Sequence, residues 1–186
     1  MRRVVLAVLT SAVLAGCGVR EVALPATLGP STPPAPPVVT CWPEGVVFSV
    51  AGTDAAMGVR VLTVEMTNCG SAPYPVNGYP SVRLLDEGRR PLPVTLARGS
   101  ASIAAVPGFD APPTPMTLRP GEKARAGLLW RNLVTDTTVD AVTAVHLEAA
   151  ATPDGPWRSV PAADAGGVHI DLGTTGQLGV QAWQEA

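Results

Sequence analysis

Charge, histidine and aromatic side chains are all scarce in this chain. Asp, Glu, Lys and Arg make up 15% of 186 residues, and Phe, Trp and Tyr only 4%. With 13 Lys plus Arg against 15 Asp plus Glu, there is no basic footprint for a nucleic acid, and none is expected as a partner. Two histidines, His146 and His169, argue against a His-rich metal centre, and neither sits in an HExxH spacing. No Gly-x-Ser-x-Gly elbow is present, and the Gly-flanked segment Gly173-Thr174-Thr175-Gly176 lacks the lysine of a phosphate loop. The acidic pairs near Asp86-Glu87 and Asp136 to Asp140 read as solvated turns, without the loop of an EF-hand. No cofactor, metal or catalytic residue is therefore expected, and the chain reads as a non-enzyme.

Glycine and proline are abundant, 19 and 20 residues, and they are dispersed. That excludes a coiled coil or a long helical bundle, because proline breaks helices and glycine weakens them.

One long apolar run exists, at the N-terminus. Arg2 and Arg3 precede an eleven-residue stretch, 4–14, broken only by Thr10 and Ser11. It is too short for a membrane span, which takes about 20 residues, and fits the core of a secretory signal. The run closes with Leu14-Ala15-Gly16-Cys17. Small residues followed by cysteine at this place resemble the bacterial lipoprotein signal. The resemblance implies cleavage before Cys17, a lipidated thiol and a lipid anchor on the extracytoplasmic side of the cell membrane. Two acyl chains suffice for stable anchoring, whereas one is marginal. The alternative is a soluble secreted protein with a coincidental cysteine. Removal of residues 1–16 leaves 170 residues with 11 basic and 15 acidic side chains, a formal charge of −4. Residues 17–40 then form a tether. Pro25, Pro30, Pro33, Pro34, Pro36 and Pro37 exclude a helix or a central strand there and favour an extended stalk.

The remaining segment, 41–186, reads as one all-β domain. Short apolar or alternating runs at 46–51, 59–67, 81–85, 92–98, 124–130, 138–149, 157–160, 168–172 and 178–183 are separated by turn residues. In 59–67, Leu62, Val64 and Met66 share one face. Pro91 and Pro93 mark 92–98 as an edge. The Ala-rich stretch 139–151 is ambiguous between strand and helix, and its β-branched residues tilt it to strand. About eight or nine strands without helices predict a sandwich or barrel. With Cys17 assigned to lipid, Cys41 and Cys69 are an even pair in an oxidising compartment, and a disulfide is expected; two free thiols are the alternative.

Several segments resemble the domain of unknown function family DUF4232. They are Leu62-Thr63-Val64-Glu65-Met66-Thr67-Asn68, then Gly78-Tyr79-Pro80-Ser81-Val82, then Leu84-Leu85-Asp86, then Leu118-Arg119-Pro120-Gly121-Glu122-Lys123-Ala124, with Leu129-Trp130 after it. The resemblance covers about residues 41–150. It implies an immunoglobulin-like β-sandwich, carried mainly by secreted proteins and lipoproteins of high-GC Gram-positive (actinobacterial) bacteria, and no catalytic residues. Many members have a cysteine near the position of Tyr74; here Cys69 comes earlier. The C-terminal run from Asp171 to Val180 looks unlike the family's tail.

Gly78-Tyr79-Pro80 and Pro120-Gly121 read as structural turns, the former with Tyr79 pinning the corner through its hydroxyl, the latter as a type II turn. Trp130 and Trp183 read as core. Trp42 and Trp157, flanked by Pro and turn residues, are candidate exposed anchors for an envelope protein or a glycan, together with Phe109 in the long loop 99–115; core or rim packing is the alternative for the two tryptophans. The expected function is a monomeric, surface-displayed binding or adhesion module; the alternative is a structural or accessory envelope lipoprotein assisting another secreted protein, with a hydrolase ranked behind both.

Overall fold

A computed structural model describes residues 40–100, 103–162 and 167–186. The signal-like segment, Cys17 and the tether up to residue 39 lie outside the described residues. Among the described residues the chain is all-β, without helix, and no helix is long and apolar enough to cross a membrane.

The largest sheet begins with a hairpin of β1 (Val46–Ala56) and β2 (Val59–Asn68), longer by five residues in its first strand than the sequence pattern predicts. A bulge between Val50 and Gly52 lets β1 continue where the apolar pattern stops. Met57 and Gly58 close the hairpin, both at positive φ (50° and 79°), the two-residue geometry that matches strand twist. Then come β3 (Tyr74–Val76), β4 (Ser81–Leu85), β5 (Thr95–Arg98), β6 (Met116–Leu118) and β7 (Lys123–Arg131). The chain continues through β8 (Thr143–Ala144), β9 (His146–Ala150), β10 (Arg158–Ser159), β11 (Ile170–Asp171), β12 (Gln177–Val180) and β13 (Gln184–Glu185).

The main sheet has the order β1-β2-β7-β12-β5, with β13 also paired to β7. A second sheet has the order β10-β9-β4. Two short pairs, β11-β8 and β3-β6, complete the set. Of the Ala-rich stretch only β8 and β9 are strand, interrupted at Val145; residues 138–142 are turn and irregular chain instead of the strand start that the pattern predicts.

Alternation decides which faces meet. Leu62, Val64 and Met66 of β2 and Ala126, Leu128 and Trp130 of β7 join Val82 and Leu84 of β4 and Leu147 and Ala149 of β9 in one buried cluster. Two sheets around one core are consistent with a β-sandwich. Trp183 is in that core, stacked on Phe48 and donating its indole N–H to the Ala151 carbonyl at 2.9 Å.

Cys41 and Cys69 form a disulfide. It ties the chain's entry to the turn after β2, where Gly70 lies against Gly45 and both Cys69 and Gly70 donate to the Gly45 carbonyl. Asn68, 1% exposed, anchors the same corner. Its amide nitrogen donates to the carbonyls of Leu118 (2.8 Å) and Ala72 (2.9 Å), and its oxygen accepts from Gly70 N–H (3.0 Å). Across Pro120-Gly121, Glu122 donates to Arg119 with Gly121 at φ 87°, the backbone that a type II turn requires there.

The loop 99–115 is not the open binding loop that its composition predicts. Phe109 is 3% exposed and packs on the outer face of β7 against Gly127, where a Cβ would meet its ring at 2.6 Å. Gln181 bridges the layers, accepting from Gly127 N–H (3.1 Å) and donating to the Gly108 carbonyl (3.1 Å). Phe109 is therefore a packing residue and not part of an exposed surface. The cause is that β7 carries apolar residues on both faces, Leu128 and Trp130 inward and Leu129 outward, and the outer face needs a cover.

Candidate functional site

Two half-buried aromatic side chains, Tyr79 and Trp157, line an open groove of about 730 Å³ at one flank of the domain. Its walls come from the edge strand of each sheet. β5 ends the main sheet and supplies Leu96, Ala97 and Arg98. β4 ends the smaller one and supplies Ser81, Val82 and Arg83, with the turn Gly78-Tyr79-Pro80 before it. Pro113, Pro153 and Trp157 close the rim. The volume falls inside the range of about 300–1,000 Å³ usual for ligand sites.

Local structure places each of these groups. Gly78 takes φ 90°, which a side chain resists, and its carbonyl accepts from Trp183 N–H at 2.9 Å. The chain thus leaves the core at Gly78, presents Tyr79, and returns into β4 through the buried Pro80. Tyr79 does not pin a corner through a hydroxyl hydrogen bond among the described residues. Its ring instead lies under the Arg98 guanidinium, 5.2 Å from Cζ to centroid. Across the groove, Arg83 covers Trp157 at 4.6 Å. Arg83 is held from behind by Glu148, with its Nε donating at 2.6 Å. Glu148 also faces Arg89 at 3.6 Å.

The two arginines differ. Arg83 has its charge answered by a carboxylate that is only 16% exposed. Arg98 makes no ion pair among the described residues and is exposed. The groove therefore joins two half-buried aromatic rings, an exposed Leu96 and one uncompensated positive charge. These groups can offer apolar contact and a positive charge to an anion; neither histidine lines the groove.

The aromatic residues singled out in the sequence fall in different places. Trp157 lines the groove. Trp42, 38% exposed, stands beside the disulfide under Arg158 (4.8 Å), which is paired to Glu44. Phe109 is buried. Tyr79, expected as a turn residue alone, is a wall of the groove. Arg83, Arg98 and Leu96 carried no sequence signal, because only the pairing of distant strands brings them together. Outside the groove, burial and the charge of Glu44 push the Tyr74 phenol upward.

A second concavity of about 570 Å³ lies beneath the β1–β2 hairpin, beside Arg60, His169 and Asp171. Its indole, Trp130, is 2% exposed and offers no ring to a ligand.

The family model for the domain of unknown function DUF4232 matches residues 41–184. The chain belongs to that family. The match extends past residue 150 to Gln184, so the C-terminal run that looks unlike the family's tail lies within it. No curated protein and no solved structure matches the chain.

Proposed function

We propose that the protein is a lipid-anchored extracytoplasmic lipoprotein of bacterial type, whose immunoglobulin-like β-sandwich serves as a non-catalytic binding module. The anchor reading rests on the signal-like run that ends in Leu14-Ala15-Gly16-Cys17. The disulfide between Cys41 and Cys69 fits an oxidising compartment. The immunoglobulin-like reading is supported by a six-stranded and a three-stranded sheet around one core. The single observation that carries the binding role is the groove between β4 and β5, where Tyr79 and Trp157 each lie under an arginine. Neither contact is needed to close the core.

Two measurements test the proposal. Expression in a high-GC Gram-positive host places the protein in the membrane fraction, with an intact mass equal to residues 17–186 plus lipid; Cys17→Ala moves it to the medium. An unmodified mass with full secretion of the wild type overturns the anchor. For the binding role, envelope extract is passed over immobilised wild type and over Tyr79→Ala/Trp157→Ala. Retention of the same material by both overturns the groove as the site. Retention of nothing by either leaves the structural or accessory role in its place.

A further inference from the structure

We propose that the groove receives an extended, acidic peptide segment of a neighbouring extracytoplasmic protein, which adds as a strand to β5. The inference rests on the groove being the binding site and goes on to name the class of ligand.

The register of β5 is the starting point. It pairs in parallel with β12, Leu96 opposite Leu178 and Arg98 opposite Val180. Thr95 N–H donates to the Gly176 carbonyl at 2.8 Å and Gly99 N–H to the Val180 carbonyl at 2.7 Å. In a parallel ladder the residues that bond to the neighbour alternate. Thr95, Ala97 and Gly99 therefore turn their polar backbone towards β12, and Leu96 and Arg98 turn theirs away from it. No strand pairs with that side among the described residues. Two N–H and two C=O groups thus line the groove in extended geometry, enough to register a short partner strand.

The side chains match the same ligand. Leu96 is 45% exposed beside the groove, and the half-buried Tyr79 and Trp157 line it as apolar walls for alternate residues of an added strand. Arg98, free of any ion pair among the described residues, supplies the charge that selects a carboxylate. A short edge strand preceded by Pro91 and Pro93 and bearing an arginine also resists aggregation. That protective role requires neither an exposed leucine nor two aromatic rings beside it. A glycan would use the rings but would leave the backbone of Leu96 and Arg98 unanswered.

The probes are a positional-scanning library of acetylated, amidated octapeptides and an array of neutral and acidic oligosaccharides. Both are applied to the protein isolated from the membrane fraction in detergent. The library is expected to select apolar residues at alternate positions with Asp or Glu between them. Methylating the backbone nitrogens that face β5 should weaken the best peptide at least tenfold, whereas methylating the alternate nitrogens should change affinity less than threefold. Hydrogen exchange at the Leu96 and Arg98 amides should slow at least tenfold in the complex. Leu96→Pro, which removes an N–H outside the β12 ladder, should retain the fold and lose binding; Arg98→Ala should lose the acidic preference. Peptide binding indifferent to N-methylation and to Leu96→Pro overturns strand addition but leaves the groove as a site. Selective oligosaccharide binding that depends on Tyr79 and Trp157 overturns the peptide class and again leaves the site. Binding of neither probe overturns the inference, and the envelope-extract experiment separately decides the groove.

Discussion

Replacing Asn68 by alanine should remove more stability than any other single polar substitution in the described fold. Its side chain makes three hydrogen bonds at 2.8–3.0 Å, and the residue is 1% exposed. Each bond is worth about 1 kcal/mol net, and a buried carbonyl left dry costs about 1–3 kcal/mol more. The Leu118 carbonyl is the buried one. The expected loss is therefore about 4–6 kcal/mol, a large share of the ~5–15 kcal/mol typical of a domain. Urea unfolding followed by tryptophan fluorescence measures it, because Trp130 and Trp183 are buried in the core. Asn68→Asp separates hydrogen bonding from packing. It keeps an oxygen for Gly70 N–H but brings a negative charge against two carbonyls. Burial and those carbonyls favour the protonated acid, so its folded pKa rises above the unfolded value of about 3.9. The variant then suffers least below about pH 3.9, and its deficit grows as pH rises through the folded pKa. An alanine variant within 1 kcal/mol of wild type, or an aspartate deficit flat with pH, refutes the reasoning.

The disulfide closes a separation of 28 residues, for which loop entropy gives about 3–4 kcal/mol. The Cys41→Ser/Cys69→Ser protein should lose that much in urea, and an unchanged midpoint means the Gly45–Gly70 contact already fixes the entry. Gly173 has φ 58°, and a Cβ there would meet the Leu133 carbonyl oxygen at 2.1 Å. Gly173→Ala should therefore cost over ~3 kcal/mol, whereas Gly58→Ala, at φ 79° in open space, should cost about 1 kcal/mol; equal losses in thermal unfolding would show that φ alone matters. Asp110 accepts from the Ser100 amide (2.6 Å) and hydroxyl (2.8 Å), and these bonds hold its carboxyl below the usual range, the amide contributing most. Its contribution is present above the unfolded pKa of about 3.9 and is lost as pH falls through the lower folded value. Hydrogen exchange at Ser100, corrected for intrinsic rate, should speed up in that acid window, and Asp110→Asn should abolish the pH dependence.

What the sequence reveals follows from how each strand is buried. β2 and β7 are long antiparallel strands with a packed inner face, so their period of two is legible, as is the hairpin between neighbours. β3 and β6 are three residues each, and β3 contains Pro75 in its middle. No periodicity can appear over three residues, and only their mutual pairing makes them strands. The parallel pairing of β12 with β5 is equally invisible, since it joins residues 82 apart. The groove inherits that opacity. Tyr79 was legible as a turn residue because Gly and Pro flank it, but its role as a wall depends on Arg98 arriving through β5 and on Trp157 arriving through β10.

Phe109 shows the opposite case, in which a usable signal was present. Its loop is rich in Pro, Gly and Ala and reads as exposed. Yet Gly127 sits in the middle of the apolar run Ala126-Gly127-Leu128-Leu129, and a glycine inside a strand marks the close approach of another group. An aromatic ring needs a flat site without a side chain, and β7 offers one on its outer face. The loop is thereby fixed at Phe109, through the Gln181 bridge and by the Ser100–Asp110 clasp, and it carries Pro113 from this anchorage to the rim of the groove. A cover packed on one face of the main sheet thus reaches the groove at its edge. The loop therefore borders the groove through Pro113, although its aromatic residue is buried away from it.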